Sequence, residues 1–121
     1  MKTNIHTSKW DRNLDVVIAA PRSHEILLEN DKVRVVKVTI MPHQKEPFHN
    51  HKWSSIMIVY NSTRLRYFDK NGKFMELPKR NVSPENPFVE WLDPEKLHAV
   101  ENLDATSYNA IRIEIKQQSH I

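Results

Sequence analysis

Residues 47–60 run Pro47-Phe48-His49-Asn50-His51-Lys52-Trp53-Ser54-Ser55-Ile56-Met57-Ile58-Val59-Tyr60, a His-x-His pair followed by a β-branched apolar run. Side chains of an extended strand alternate between its two faces, so His49 and His51 project to the same side. A third histidine, His98, lies in a separate apolar run, Leu97-His98-Ala99-Val100. Three imidazoles brought together form a ligand shell for a divalent transition metal. His49, His51 and His98 are therefore the candidate metal ligands.

Working outward, the chain reads as strands. Val16-Val17-Ile18 and Glu25-Ile26-Leu27-Leu28 are short apolar runs separated by Pro21, with Asn30-Asp31 as a turn signal. In Val33 to Ile40 the apolar positions fall at 33 and 35, then at 36, 38 and 40, a slip that predicts a β-bulge or a strand buried on both faces. Met57 and Val59 share the inward face with Ser55, leaving Ile56, Ile58 and Tyr60 outside. Arg64 to Phe68 and Lys73 to Leu77 form a hairpin over Asp69-Lys70-Asn71-Gly72, and 78–87, with three prolines, reads as an exposed loop. Phe88 to Leu92, Leu97 to Val100 and Ala110 to Ile115 complete eight or nine strands. In the last, Ile111, Ile113 and Ile115 take one face and Arg112 and Glu114 the other. Short strands at this spacing predict an all-β sandwich or barrel, with residues 1–15 as an N-terminal arm or short helix.

The 121 residues suit one domain, 1–121, with its barrel core at about 25–116. With no cysteine, thiolate ligands, disulfides and a cysteine nucleophile are excluded, and nitrogen and oxygen must hold any metal. No apolar run approaches the roughly 20 residues that span a bilayer, and no signal peptide is visible, so a cytoplasmic protein that does not bind membranes is expected. The net charge is +3, with basic residues interleaved among acidic ones, and no nucleic-acid partner is expected.

From about Glu29 to Lys116 the chain resembles the small single-domain cupins. Their first motif has a glycine, five residues, His-x-His, three or four residues, a glutamate, six residues and a glycine; here its histidines are His49-Asn50-His51. Their second motif ends in a histidine, three residues and an asparagine, matched by His98-Ala99-Val100-Glu101-Asn102. Glu29-Asn30-Asp31-Lys32-Val33-Arg34-Val35, Asn71-Gly72-Lys73 and Ile113-Glu114-Ile115-Lys116 are similar to the family as well. The resemblance implies a cupin-type β-barrel, a double-stranded β-helix of jelly-roll form. The departures are specific. Ser55 stands where the ligating glutamate would be, His43, Ser62, Pro87 and Glu95 replace the motif glycines, and Asp93 replaces the motif proline. Tight turns then fall to Asn, Asp, Ser and Pro.

What the resemblance implies for function is a three-histidine centre for iron, zinc, nickel or manganese. Cupins that lack the glutamate, thiol dioxygenases among them, use such sites, which points to a dioxygenase or related oxidoreductase acting on a small organic molecule. The alternatives are a non-catalytic, sensor-like binding module, a degenerate metal-free barrel, and, more weakly, a sugar isomerase. Ser55, Met57, Tyr67 and Trp91 are the candidate pocket residues. Glu90 and Glu101 are the acidic side chains near the histidine runs, although Glu101 alternates away from His98. Arg64, Arg66 and Arg112, set among apolar residues, are expected outward and solvated. His24 and His43 read as loop or strand-edge residues, and His6 and His120 as terminal ones. The apolar outward face of Ile56, Ile58 and Tyr60 calls for another layer, from the N-terminal segment or a second subunit, and the resemblance implies a homodimer. An ordinary histidine titrates near 6.5, so metal binding is expected to weaken below that pH.

Overall fold

The computed structural model describes residues 10–116. His6, His120 and the first nine residues of the expected arm lie outside them. A single 3-10 turn, Arg12–Leu14, is capped by the Asp11 side chain, which accepts from the Asn13 amide, and a short helix, α1, covers Val16–Ala19. The apolar run at 16–18 is thus helical rather than extended. Ile18 and Ala19 donate to the Asp15 carbonyl, and one residue of the turn, Val16, is fully buried. This turn packs against β1 and β3.

Nine strands follow: β1 His24–Glu29, β2 Val33–Ile40, β3 His49–His51, β4 Ser55–Asn61, β5 Leu65–Phe68, β6 Phe74–Leu77, β7 Phe88–Leu92, β8 Glu95–Asn102 and β9 Tyr108–Ile115. They form a five-stranded sheet in the order β1-β2-β9-β4-β7 and a four-stranded sheet in the order β3-β8-β5-β6, and all strand pairs are antiparallel. This is the all-β, jelly-roll-like architecture expected from the spacing of the strands. Among the described residues no helix is long and apolar enough to cross a membrane.

The predicted irregularity in Val33 to Ile40 lies elsewhere. β2 pairs with β9 without interruption from Val33↔Ile115 to Ile40↔Tyr108, and its inward residues are Arg34, Val36, Val38 and Ile40. The slip in the sequence arises because an arginine occupies one inward position. The bulge belongs to β1, where Ile26 faces Val36 and Leu28 faces Val35, leaving Leu27 as the extra residue. On β9 the inward set is Tyr108, Ala110, Arg112 and Glu114, so the polar residues of the alternation point in and the isoleucines lie outside. β4 follows expectation, with Ser55, Met57 and Val59 buried.

The interior is divided along its length. Val38, Ile40, Met57, Val59, Tyr108 and Ala110 form an apolar core, backed by Leu65, Val82, Phe88, Leu92 and Val100. Toward the other end of the same strands lie Arg34, Arg112, Glu114 and Ser55, facing the histidines of β3 and β8. A barrel whose apolar filling is confined to one end leaves the other free for polar chemistry, provided every buried polar group is paired.

Two turns show how the chain manages without motif glycines. His43 sits at φ 61°, in the left-handed region, so a histidine adopts the conformation a glycine would take more easily. The single glycine, Gly72, has φ 83° in the β5–β6 hairpin, where the Asp69 side chain accepts from the Asn71 and Lys73 amides. The asparagine that ends the second motif is structural. Asn102 is buried, its amide group donates to the carbonyls of Ile40, Met41 and Thr106, and its oxygen accepts from the Asp104 amide. Asn102→Ala strands those groups and is expected to cost about 2–4 kcal/mol, read as a lower urea midpoint with an unchanged m value.

Candidate metal centre

β3 and β8 place the histidines. His49 faces His98 across the pair, and His51 faces Glu95 after a register shift. Ring centroids are 4.5 Å apart for His49 and His98, 5.0 Å for His49 and His51, and 5.2 Å for His51 and His98. One ligand nitrogen from each falls within 4.8 Å of the other two, and all three residues are buried.

Local hydrogen bonds fix which nitrogen faces the cavity. His49 Nδ1 lies 2.9 Å from the Pro47 carbonyl and His98 Nδ1 2.8 Å from that of Lys96. A carbonyl only accepts, so each Nδ1 carries the proton and each Nε2 keeps its lone pair. His51 Nδ1 lies 3.7 Å from Glu114 Oε2, and neither atom has a hydrogen bond among the described residues. Imidazoles held from behind by a carbonyl or carboxylate, with Nε2 turned inward, are the arrangement that metal-ligating histidines adopt. The donor set fits a divalent transition metal.

Burial keeps these rings neutral. It lowers the pKa of His24 and of His49 to about 3, with neighbouring imidazoles and Arg112 adding to the effect. His51 is held well below the usual histidine range by the same burial and by Arg112. Burial lowers His98 too, with Glu95 opposing it. The lone pairs of His24, His49 and His51 are therefore available well below the pH 6.5 expected for a solvated imidazole, and that of His98 below it.

The remaining candidates divide. Met57 lines the cavity. Ser55 is buried but accepts from Arg112 Nη1 at 2.9 Å. Tyr67 stacks on His98 with centroids 5.0 Å apart and planes 9° from parallel, and its hydroxyl donates to Glu95. Burial and Glu95 raise that hydroxyl to about 12, so it stays protonated. Trp91 does not join them: it is 57% exposed on the outer face of β7 and donates to Asp93. Glu90 lies opposite Met57 on the β7 edge strand, and Glu101 lies near Arg66, outside the cavity.

Arg112 overturns the expectation of a solvated arginine. It is buried, bridges Ser55 and Glu95, and lines the cavity, whereas the Arg64 side chain is mostly exposed. Three further residues complete the polar end. His24 is buried beside His49, with centroids 5.6 Å apart. Glu46 is buried in the loop before β3, accepts from Ser23 Oγ at 2.8 Å, and is pushed up to about 7 by burial, with Ser23 and Arg112 opposing. Glu114 is buried and pairs with Arg34, which also donates two bonds to Asp15. Arg34 and Glu114 each stand singly between β-branched residues, in Val33-Arg34-Val35 and Ile113-Glu114-Ile115, a setting shared by the exposed Lys37 in Val36-Lys37-Val38, so the pattern alone does not mark burial. Nothing in the sequence marks His24 or Glu46 either.

His24, Glu46, His49, His51, His98 and Arg112 line a cavity of about 70 Å³ whose other walls come from the apolar core, Val38, Ile40, Met57, Leu65, Val100 and Tyr108. With a water occupying roughly 30 Å³ of liquid, the space suits an ion with a few small ligands rather than a bulky molecule.

No family model matches the chain, and no curated protein matches it in sequence. Solved structures match its fold. A cupin domain from Bordetella pertussis Tohama I superposes with a TM-score of 0.66 at 17% identity, covering 78% of this chain and 92% of that one. An RmlC-like cupin family protein with a double-stranded β-helix fold from Methanocaldococcus jannaschii gives 0.56 at 9% identity, over 76% and 77%. The polyketide cyclase RemF from Streptomyces resistomycificus gives 0.52 at 13% identity, over 80% and 66%.

The pKa shifts have opposite consequences for stability. Between pH 6.5 and 3 the unfolded chain protonates His24 and His49 while the fold keeps them neutral, so acidification destabilises, by about 2 kcal/mol for each at pH 5. Glu46, raised from 4.5 to about 7, is protonated first in the fold and offsets part of the loss over that interval. Chelator-treated protein is expected to show a lower urea midpoint at pH 5 than at pH 7, with a steeper decline for Glu46→Gln. Equal midpoints would contradict the neutral imidazole cluster.

Proposed function

Because the chain has the cupin fold, we propose that it binds a divalent transition metal through Nε2 of His49, His51 and His98 and presents that ion to a small molecule. The observation that carries this reading is the tying of His49 Nδ1 and His98 Nδ1 to backbone carbonyls, which leaves the lone pairs to converge in a buried cavity. Neutral ligands leave the ion its full charge, and when bound it supplies Lewis-acid or oxygen chemistry at its open positions. The reaction class proposed is a dioxygenase or related oxidation of a small organic molecule. Arg112, lining the cavity between Ser55 and Glu95, offers a positive charge to an anionic group of such a substrate. Tyr67, stacked on His98, holds that ring in plane.

The small cavity supports a second reading, a non-catalytic metal or small-molecule binding module on the same ligands. A homodimer is proposed with either. Across the five-stranded sheet, Val35, Ile113, Ile56 and Trp91 stand in one row on the outer face, with Ile111, Ile58 and Val89 in the next. A contiguous apolar sheet face of this kind suits a second copy.

Elemental analysis of untagged protein tests the metal centre. Wild type is expected to carry a single transition-metal ion per chain, and His98→Ala to lose most of any iron, zinc or nickel while keeping its far-UV spectrum. Iron would favour the oxidation and zinc the binding module. A wild type that cannot be loaded with iron, zinc, nickel or manganese refutes the proposal.

A further inference from the structure

A carboxylate does reach this cavity, but not from the position the motif assigns to it. Ser55 holds Arg112 there. Glu46 enters from the loop before β3, and His24 enters from the start of β1. His24, Glu46 and His49 are all buried, and one ligand atom from each lies within 4.8 Å of the others. Ser23 organises the first two. Its Oγ lies 2.8 Å from Glu46 Oε2 and 2.9 Å from His24 Nδ1. A hydroxyl has one proton, and donating it to the carboxylate leaves the oxygen to accept from His24 Nδ1. That tautomer keeps the lone pair of His24 on Nε2, as in His49 and His98. The carboxylate and the imidazole are thus prepared as ligands by a single serine.

The two groupings share His49, and His49 has one nitrogen to give, because its Nδ1 is committed to the Pro47 carbonyl. We propose that the cavity contains a second divalent-cation seat, formed by His24, Glu46 and His49, which alternates with the His49, His51 and His98 seat so that a single ion occupies one or the other. This rests on the cavity being a metal centre at all. The two seats differ in donor chemistry. Three imidazoles suit zinc, nickel, copper or iron(II), whereas two imidazoles and a carboxylate are harder and favour manganese(II). The ion supplied then selects the seat, and with it the side chains left free to meet a ligand. An ion in the three-histidine seat leaves the Ser23-held pair beside it. One in the mixed seat lies away from Glu95 and Tyr67.

The test is titration of chelator-treated full-length protein with manganese(II), followed by the loss of its free paramagnetic resonance signal, and with zinc(II), followed by calorimetry. Wild type is expected to bind one ion of either kind. His98→Ala should weaken zinc by about tenfold or more while leaving manganese close to wild type, and Glu46→Gln should do the reverse. The double variant should bind neither. His24→Gln, which keeps a polar group beside Ser23, checks the mixed seat independently should Glu46→Gln lose the fold. If Glu46→Gln and His24→Gln both bind manganese as wild type does, or if every variant weakens both ions alike, the second seat is refuted while the metal centre stands. Two ions bound together refute the alternation. No binding by wild type refutes the seat and the proposed function together.

Discussion

The polar end of the barrel depends on one guanidinium. Arg34, inward on β2, donates through Nε to Glu114 on β9 and through both terminal nitrogens to Asp15, the residue that begins α1. Glu114 in turn stands behind His51. One side chain therefore joins two neighbouring strands, the N-terminal turn and a metal-ligand candidate. Placing these charges out of water is costly, and their mutual pairing is what makes the arrangement tolerable; loss of one partner in such a group leaves an uncompensated buried charge, at about 3–5 kcal/mol. The pairing also orients. With Glu114 held by Arg34, its other carboxylate oxygen stands 3.7 Å behind the ring of His51.

Arg112 plays the complementary part on β9, one inward position before Glu114. It occupies Ser55 Oγ and Glu95, and its charge helps keep all four cavity histidines unprotonated. A cation close to an ion site weakens cation binding unless it is neutralised, and Glu95 does this at 3.1 Å. The site is thus a balance of two arginines against three carboxylates, with Glu46 poised to hold a proton. A barrel with glutamate at position 55 would set that balance differently.

Much of this was legible in the sequence. The strands with regular alternation, β4 and β9, and the hairpin at Asn71-Gly72 follow from period and turn chemistry, and the His49-Asn50-His51 pair with His98, read in the frame of the cupin resemblance, points to the histidine cluster. The misreadings share a cause. Burial is ordinarily inferred from apolarity, so the isoleucines of β9 were the natural inward set and Arg112 and Glu114 the outward one. The structure reverses them because paired charges satisfy one another inside. The same substitution of a charge for an apolar residue at Arg34 made β2 look bulged. His24 and Glu46 were beyond reach because they meet His49 only through tertiary packing, from segments 25 and 3 residues away in the chain. Trp91 was misplaced for the converse reason: an aromatic on a strand can cover the outside of a sheet as well as line its interior.

The bulge at Leu27 bears on how the molecule behaves in company. β1 is an edge of the five-stranded sheet, and Ile26, Leu27 and Leu28 are all exposed along it. A flat edge so apolar would recruit other strands and grow into aggregates. One additional residue breaks the repeat of free amides and carbonyls at the middle of that edge, and Glu25 and Glu29 place like charges at its two ends. An incoming strand meets a step instead of a template. The irregularity that does nothing for the cavity works against the recruitment of further strands along so apolar a margin.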